Sequence, residues 1–122
     1  MSKRTYKNES AESMLAREML EAVWYDNGGL TNREGQWGKF KRRLQRILKK
    51  LPKEEYELFF TEMEDETGEM VSFAEWFAIG TDYDTRREFI RKHRALYKID
   101  CVLNEWFDDV KPLSIEEYLG EK

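Results

Sequence analysis

Arg87, Arg91, Arg94 and Lys98 recur three or four residues apart, so on a helix they form one line of cations opposite Phe89, Leu96 and Phe107. Arg42, Arg43, Arg46, Lys49 and Lys50 do the same along 36–53, opposite Trp37, Phe40, Leu44, Ile47, Leu48 and Leu51. Rows of this kind offer hydrogen-bond donors and positive charge to phosphates and to guanine edges. Polyanion recognition is the chemistry they suit.

Residues able to carry acid-base, covalent or metal chemistry are few. His93 is the only histidine, and the spacing predicts a buried hydrogen bond to Asp100 unless Asp100 instead caps a helix restarting after a break at Ile99. Neither arrangement supplies a nucleophile or an orienting network for a general base. Cys101, the single cysteine, has no second ligand beside it and reads as a packed thiol; it also excludes an internal disulfide. Phosphate loops and glycine fingerprints are missing, and 65–76 lacks the alternating carboxylates and terminal Glu of a calcium loop. Trp24, Trp37, Trp76 and Trp106 read as core residues. No enzymatic activity, metal or cofactor is expected.

The elements that must position the cations follow from composition and caps. With 40% hydrophobic and 38% charged residues, two prolines and seven glycines, the 122 residues predict an all-α fold. It should be one domain over 1–122, a bundle of about five to six helices with 1–9 a disordered lead-in. Ser10 caps a first helix to about Asp26, ended by Asn27, Gly28 and Gly29. Leu30 with the Thr31–Glu34 capping box opens the second, cationic helix. Pro52, Glu54 and Glu55 open a third, expected to reach about Thr67 with Tyr56, Phe59, Phe60 and Met63 on one face and to stop at Gly68. Ser72 and Glu75 cap a short fourth helix closed at Gly80, Thr81–Asp84 forms a turn, and Thr85 and Glu88 cap a fifth helix toward Asp109. Pro112 breaks that helix, and Ser114 caps a last short one. A short helix, a glycine, a turn and a cationic helix, in that order over 73–98, is the pattern of a helix-turn-helix, whose second helix enters the major groove.

Leu51, Pro52 and Glu55, then Ser72, Glu75, Gly80 and Thr85, then Arg94, Ala95, Leu96, Tyr97 and Lys98 add a further signal. From Arg43 to about Leu103 this order resembles the fourth region of sigma factors and the sigma-like regulators of phage late transcription of the ArpU type. Trp76 stands where that motif has a small residue, and Arg86 where it has an apolar one. The resemblance implies a regulator that binds promoter-type double-stranded DNA through Thr85, Arg86, Arg87, Arg91 and Arg94, with RNA polymerase as a possible second partner.

A net charge of −4 conceals strong segregation. Residues 31–53 hold nine basic and one acidic group, 54–84 no basic and eleven acidic groups, and 85–98 six basic and one acidic group. The acidic block motivates the alternative of a small phage or mobile-element inhibitor or adaptor. Glu54, Glu55, Glu57, Glu62, Glu64, Asp65 and Glu66 would then occupy a basic groove on a host nucleic-acid-handling protein. No apolar run approaches the ~20 residues of a membrane helix, and the lone cysteine suits a reducing compartment, so a cytoplasmic setting is expected, in a bacterial host cell if the chain is phage-derived.

Overall fold

Helix α1 (Ala11–Asp26) forms where its caps place it. The Ser10 side chain accepts a hydrogen bond from the Ser13 N–H at 3.1 Å, and Gly28 and Gly29, at φ 68° and 79°, turn the chain away after Asp26. The computed structural model describes residues 9–29, 34–108 and 114–120. The Leu30 staple, the Thr31 cap, residues 1–8 and Pro112 lie outside the described residues. Glu9, expected in the lead-in, is instead tied down, accepting from Ser13 Oγ at 2.8 Å, Arg17 at 2.7 Å and Lys41 at 3.2 Å.

Those donors, Arg17 first and then Ser13, hold the Glu9 carboxyl at about 2, against an ordinary 4.5. A carboxylate depressed in the folded state stabilises above its unfolded pKa, and that contribution is lost as pH falls through the folded value. Between pH 4.5 and 2 the wild-type chain should therefore lose more stability than a Glu9→Gln variant, read from urea midpoints. Equal losses would contradict this.

Helix α2 (Trp37–Lys49), entered through one 3-10 turn at Glu34–Gln36, is amphipathic as its sequence predicts. Phe40, Leu44 and Leu48 are fully buried, while Lys39, Arg42, Arg46, Lys49 and Lys50 face solvent. Helix α3 (Lys53–Leu58) is shorter than expected: it ends nine residues before Thr67, and an antiparallel hairpin of β1 (Glu62–Glu64) and β2 (Met70–Ser72) replaces its second half. The periodicity of 62–72 is that of strands, with Met63 paired to Val71 and both turned toward the core while Glu62, Glu64 and Met70 face out. Asp65 builds the turn by accepting from the Thr67 and Glu69 N–H groups, and Gly68 takes the positive φ of 89° that the loop requires. Gly68 is thus a hairpin glycine and not a helix stop.

Ser72 caps helix α4 (Phe73–Glu75), which widens into a π turn at Trp76–Gly80. Helix α5 (Tyr83–Lys92) starts three residues earlier than the sequence suggests, because the Asp82 side chain accepts from the Thr85 N–H at 2.7 Å; Thr85 and Glu88 are not its capping box. Nor does α5 continue to Asp109. His93, at φ −133° and ψ 71°, breaks it, and a 3-10 turn (Arg94–Leu96) leads into helix α6 (Tyr97–Asp108). Helix α7 (Ile115–Leu119) has the full Ser114–Glu117 capping box and ends at Gly120, φ 72°.

The fold is all-α, with one small hairpin. Leu15, Ala16, Met19, Leu20 and Val23 of α1 form the spine of the core, against which α2, α4, the π turn and α6 pack. Trp106 of α6 fixes one end by donating Nε1–H to the Leu20 carbonyl at 3.2 Å while its ring meets Trp37 and Phe40. Phe59, Phe73, Trp76 and Phe89 close the other end as edge-on and tilted pairs. Phe107, expected on the apolar side, is 43% exposed.

Candidate nucleic-acid interface

The break at His93 divides the predicted cationic line in two. Arg86, Arg87 and Arg91 stay on α5, whereas Arg94 and Lys98 are carried by the 3-10 turn and the start of α6 to the flank of α2. There they meet Arg43, Arg46 and Lys50 across a groove of about 970 Å³. Its remaining walls are mainly apolar, from Ile47, Leu51, Ala95, Tyr97, Val102 and Ile115, with Cys101 and Ser114. Among the described residues no carboxylate lines it.

Local physics explains the arrangement. The same periodicity that buries Phe40, Leu44 and Leu48 against α1 leaves Arg43, Arg46 and Lys50 on the flank facing α6. Ile99, Leu103 and Trp106 bury the opposite side of α6, so Lys98 is left on the rim. Arg43 is anchored 3.1 Å from Glu105 of α6 with its guanidinium over the Phe40 ring. Arg46, Lys50 and Lys98 are exposed and form no ion pair among the described residues. Burial pushes the Tyr97 phenol up and also the Cys101 thiol, so the groove presents neither a phenolate nor a thiolate near neutral pH. Cys101 should accordingly react with a thiol-directed reagent more slowly than free cysteine until urea unfolds the chain. A native-state rate equal to that of free cysteine would contradict its packing.

The other sequence candidates fall elsewhere. Arg86 is turned inward: its Nη2 donates to the Thr81 carbonyl at 3.2 Å and the Ala78 carbonyl at 3.5 Å, and its Nη1 lies 3.7 Å from Asp100. It is not presented to a partner, and it fills the position where the resembling motif has an apolar residue. Arg87 is held by Asp84 and the Tyr83 ring, and Arg91 by Glu88 and the Leu119 carbonyl. Thr85 is exposed on the first turn of α5, and Arg42 and Lys49 are exposed on α2 outside the groove lining. The expected pair of His93 with Asp100 does not form. His93 Nδ1 is 2.8 Å from Glu55 Oε2, while Asp100 accepts from the Tyr118 hydroxyl at 2.6 Å.

In the acidic block, Glu54, Glu57, Glu62, Glu64 and Glu66 are exposed. Glu55 is 7% exposed, and Asp65 is spent on its own turn, so neither belongs to a free acidic surface. Ile47 and Leu51, read from the sequence only as the apolar face of the second helix, also line the groove. The cations of both blocks were legible, but their convergence depends on a helix break at His93, which no proline or glycine signals.

No family model matches the chain, and no curated protein or solved structure matches it with significance. Among the described residues no helix is long and apolar enough to cross a membrane.

Proposed function

We propose that the protein is a non-enzymatic DNA-binding regulator that seats one phosphodiester strand of a duplex in the cationic groove between α2 and α6. One observation carries the reading: two basic blocks, separated in sequence by an entirely acidic one, supply Arg43, Arg46, Lys50, Arg94 and Lys98 to a single groove lined by no carboxylate among the described residues. Ion pairing on a monomer's own surface gains only ~0–1 kcal/mol per pair, too little to account for such sorting. A phosphate strand rewards it, since each neutralised phosphate releases condensed counterions. Contacts of this kind engage the phosphate backbone, which positions without specifying sequence. The transcriptional role, RNA polymerase as second partner and the cytoplasmic setting belong to the same proposal and rest on the sigma-like order of motifs.

Fluorescence anisotropy of a labelled duplex across a salt series tests it. With three to five phosphates engaged, log K against log[salt] should fall with a slope of roughly −3 to −4.5. Absence of binding at low salt, or binding without salt dependence, would overturn the proposal.

A second reading, an adaptor for a basic protein, is favoured by the outward face of the hairpin. Met70, paired with Glu64, is 59% exposed there, and Phe60, in the turn between α3 and β1, is 60% exposed. A partner pulled down from host lysate that survives nuclease treatment and is lost on Phe60→Ser with Met70→Ser would support it; one that vanishes with nuclease would count against it.

A further inference from the structure

We propose that Glu54, Glu55 and His93 form a site for one divalent transition-metal ion of the zinc class. One ligand atom from each of the three lies within 4.8 Å of the other two. The tightest pair, His93 Nδ1 and Glu55 Oε2, is 2.8 Å apart. Ligands at ~2.0–2.1 Å around a tetrahedral ion stand roughly 3.3 Å from each other, so this pair opens by about half an ångström to admit the ion. Glu54, exposed on the solvent side, closes in by a side-chain rotation.

Two further observations favour an ion over a plain hydrogen bond. Glu55 is 7% exposed, and its hydrogen-bond partner is an imidazole, which is a cation only when protonated. A divalent ion would give this buried carboxylate a permanent positive partner. The imidazole is also already fixed: the helix break at His93 swings it off the end of α5, and its ring lies on Phe89 with centroids 4.8 Å apart. One nitrogen and two carboxylates suit zinc, cobalt or nickel better than calcium or magnesium, which take oxygen throughout. Three protein ligands leave a fourth position for water. The ion would fasten α3 to the junction between α5 and the turn leading to α6, elements that the His93–Glu55 hydrogen bond already links across 38 residues. The metal site is independent of DNA binding.

The test uses the tag-free full chain, stripped with a chelator and titrated with zinc chloride by calorimetry and with Co2+ by visible absorption. The expected result is one equivalent bound, ligand-field bands from cobalt, and a raised thermal midpoint. Glu54→Gln, a surface change that leaves the core intact, should weaken zinc by more than about tenfold, since even outer-sphere partners are worth 10–100-fold. His93→Gln should abolish the cobalt bands, and Cys101→Ser should bind as wild type. No saturable binding, or undiminished binding in both Glu54→Gln and His93→Gln, would overturn the site, and so would its loss in Cys101→Ser. None of these signals is read in a DNA titration, so the two proposals fail separately.

Discussion

Truncation of Arg86 to alanine is expected to cost about 3–5 kcal/mol of stability near neutral pH, because it removes one partner of a buried ion pair and leaves the other in place. Asp100 is 2% exposed, and its charge is met by Arg86 at 3.7 Å, the Tyr118 hydroxyl at 2.6 Å and the Asn104 amide at 3.4 Å. Burial pushes the Asp100 carboxyl up, and Arg86 leads the groups that pull it back. Truncation also leaves the Thr81 and Ala78 carbonyls at the end of the π turn without their donor. The urea midpoint should fall by about 1 M or more.

The sign of the pH dependence follows from the direction of the Asp100 shift. A carboxyl raised in the folded state contributes stability when protonated; that contribution is complete below its unfolded pKa and is lost as pH rises through the folded one. Without Arg86 the shift is larger, so the deficit of the variant should shrink as pH is lowered. Combining Arg86→Ala with Asp100→Asn should recover roughly 0.5–3 kcal/mol relative to additivity. An Arg86→Ala protein as stable as wild type would contradict the inward placement and return Arg86 to the solvent-facing set.

Reversing one charge on each wall of the groove, Arg46→Glu with Lys98→Glu, is expected to weaken duplex binding by roughly tenfold or more for every sequence tested. The salt slope should fall by about two, one unit for each phosphate that is no longer neutralised. Both side chains are exposed and form no ion pair among the described residues, so folding should be unaffected. The informative control is Thr85→Ala with Arg87→Glu on α5. If the outer face of α5 entered a major groove in the helix-turn-helix manner, that control would be the damaging pair and would relax sequence preference. The groove reading expects it to bind nearly as wild type. Damage confined to the α5 pair would transfer the site from the groove to α5.

Much of the fold was legible because its signals are local. Ser10, Ser72 and Ser114 cap the helices their sequence positions indicate, and the 3.6-residue period of 37–51 identifies the buried face of α2. The misreadings arise where one residue type serves two structures. Gly68 ends helices and closes hairpins equally well, and the apolar spacing of Phe59, Phe60 and Met63 fits a helix until the pairing partner Val71 is counted. Asp82 and Thr85 are both good caps ahead of the same apolar run, and the side chain that reaches a backbone N–H decides between them. The candidate site was half legible. Block charge identified its cations, but their partnership depends on the helix break at His93 and on the packing of α2 against α6, neither of which is written in spacing. The Glu55–His93 hydrogen bond joins two blocks 38 residues apart and carries no local signature.

Backbone amide shifts of isotope-labelled protein, followed as a short duplex is added at low salt, test the central claim most directly. The groove account predicts perturbations concentrated at residues 43–51 and 94–102 and at Ile115, with the amides of Tyr83–Lys92 nearly still. Perturbations centred on Tyr83–Lys92, with the two walls of the groove unmoved, would contradict it.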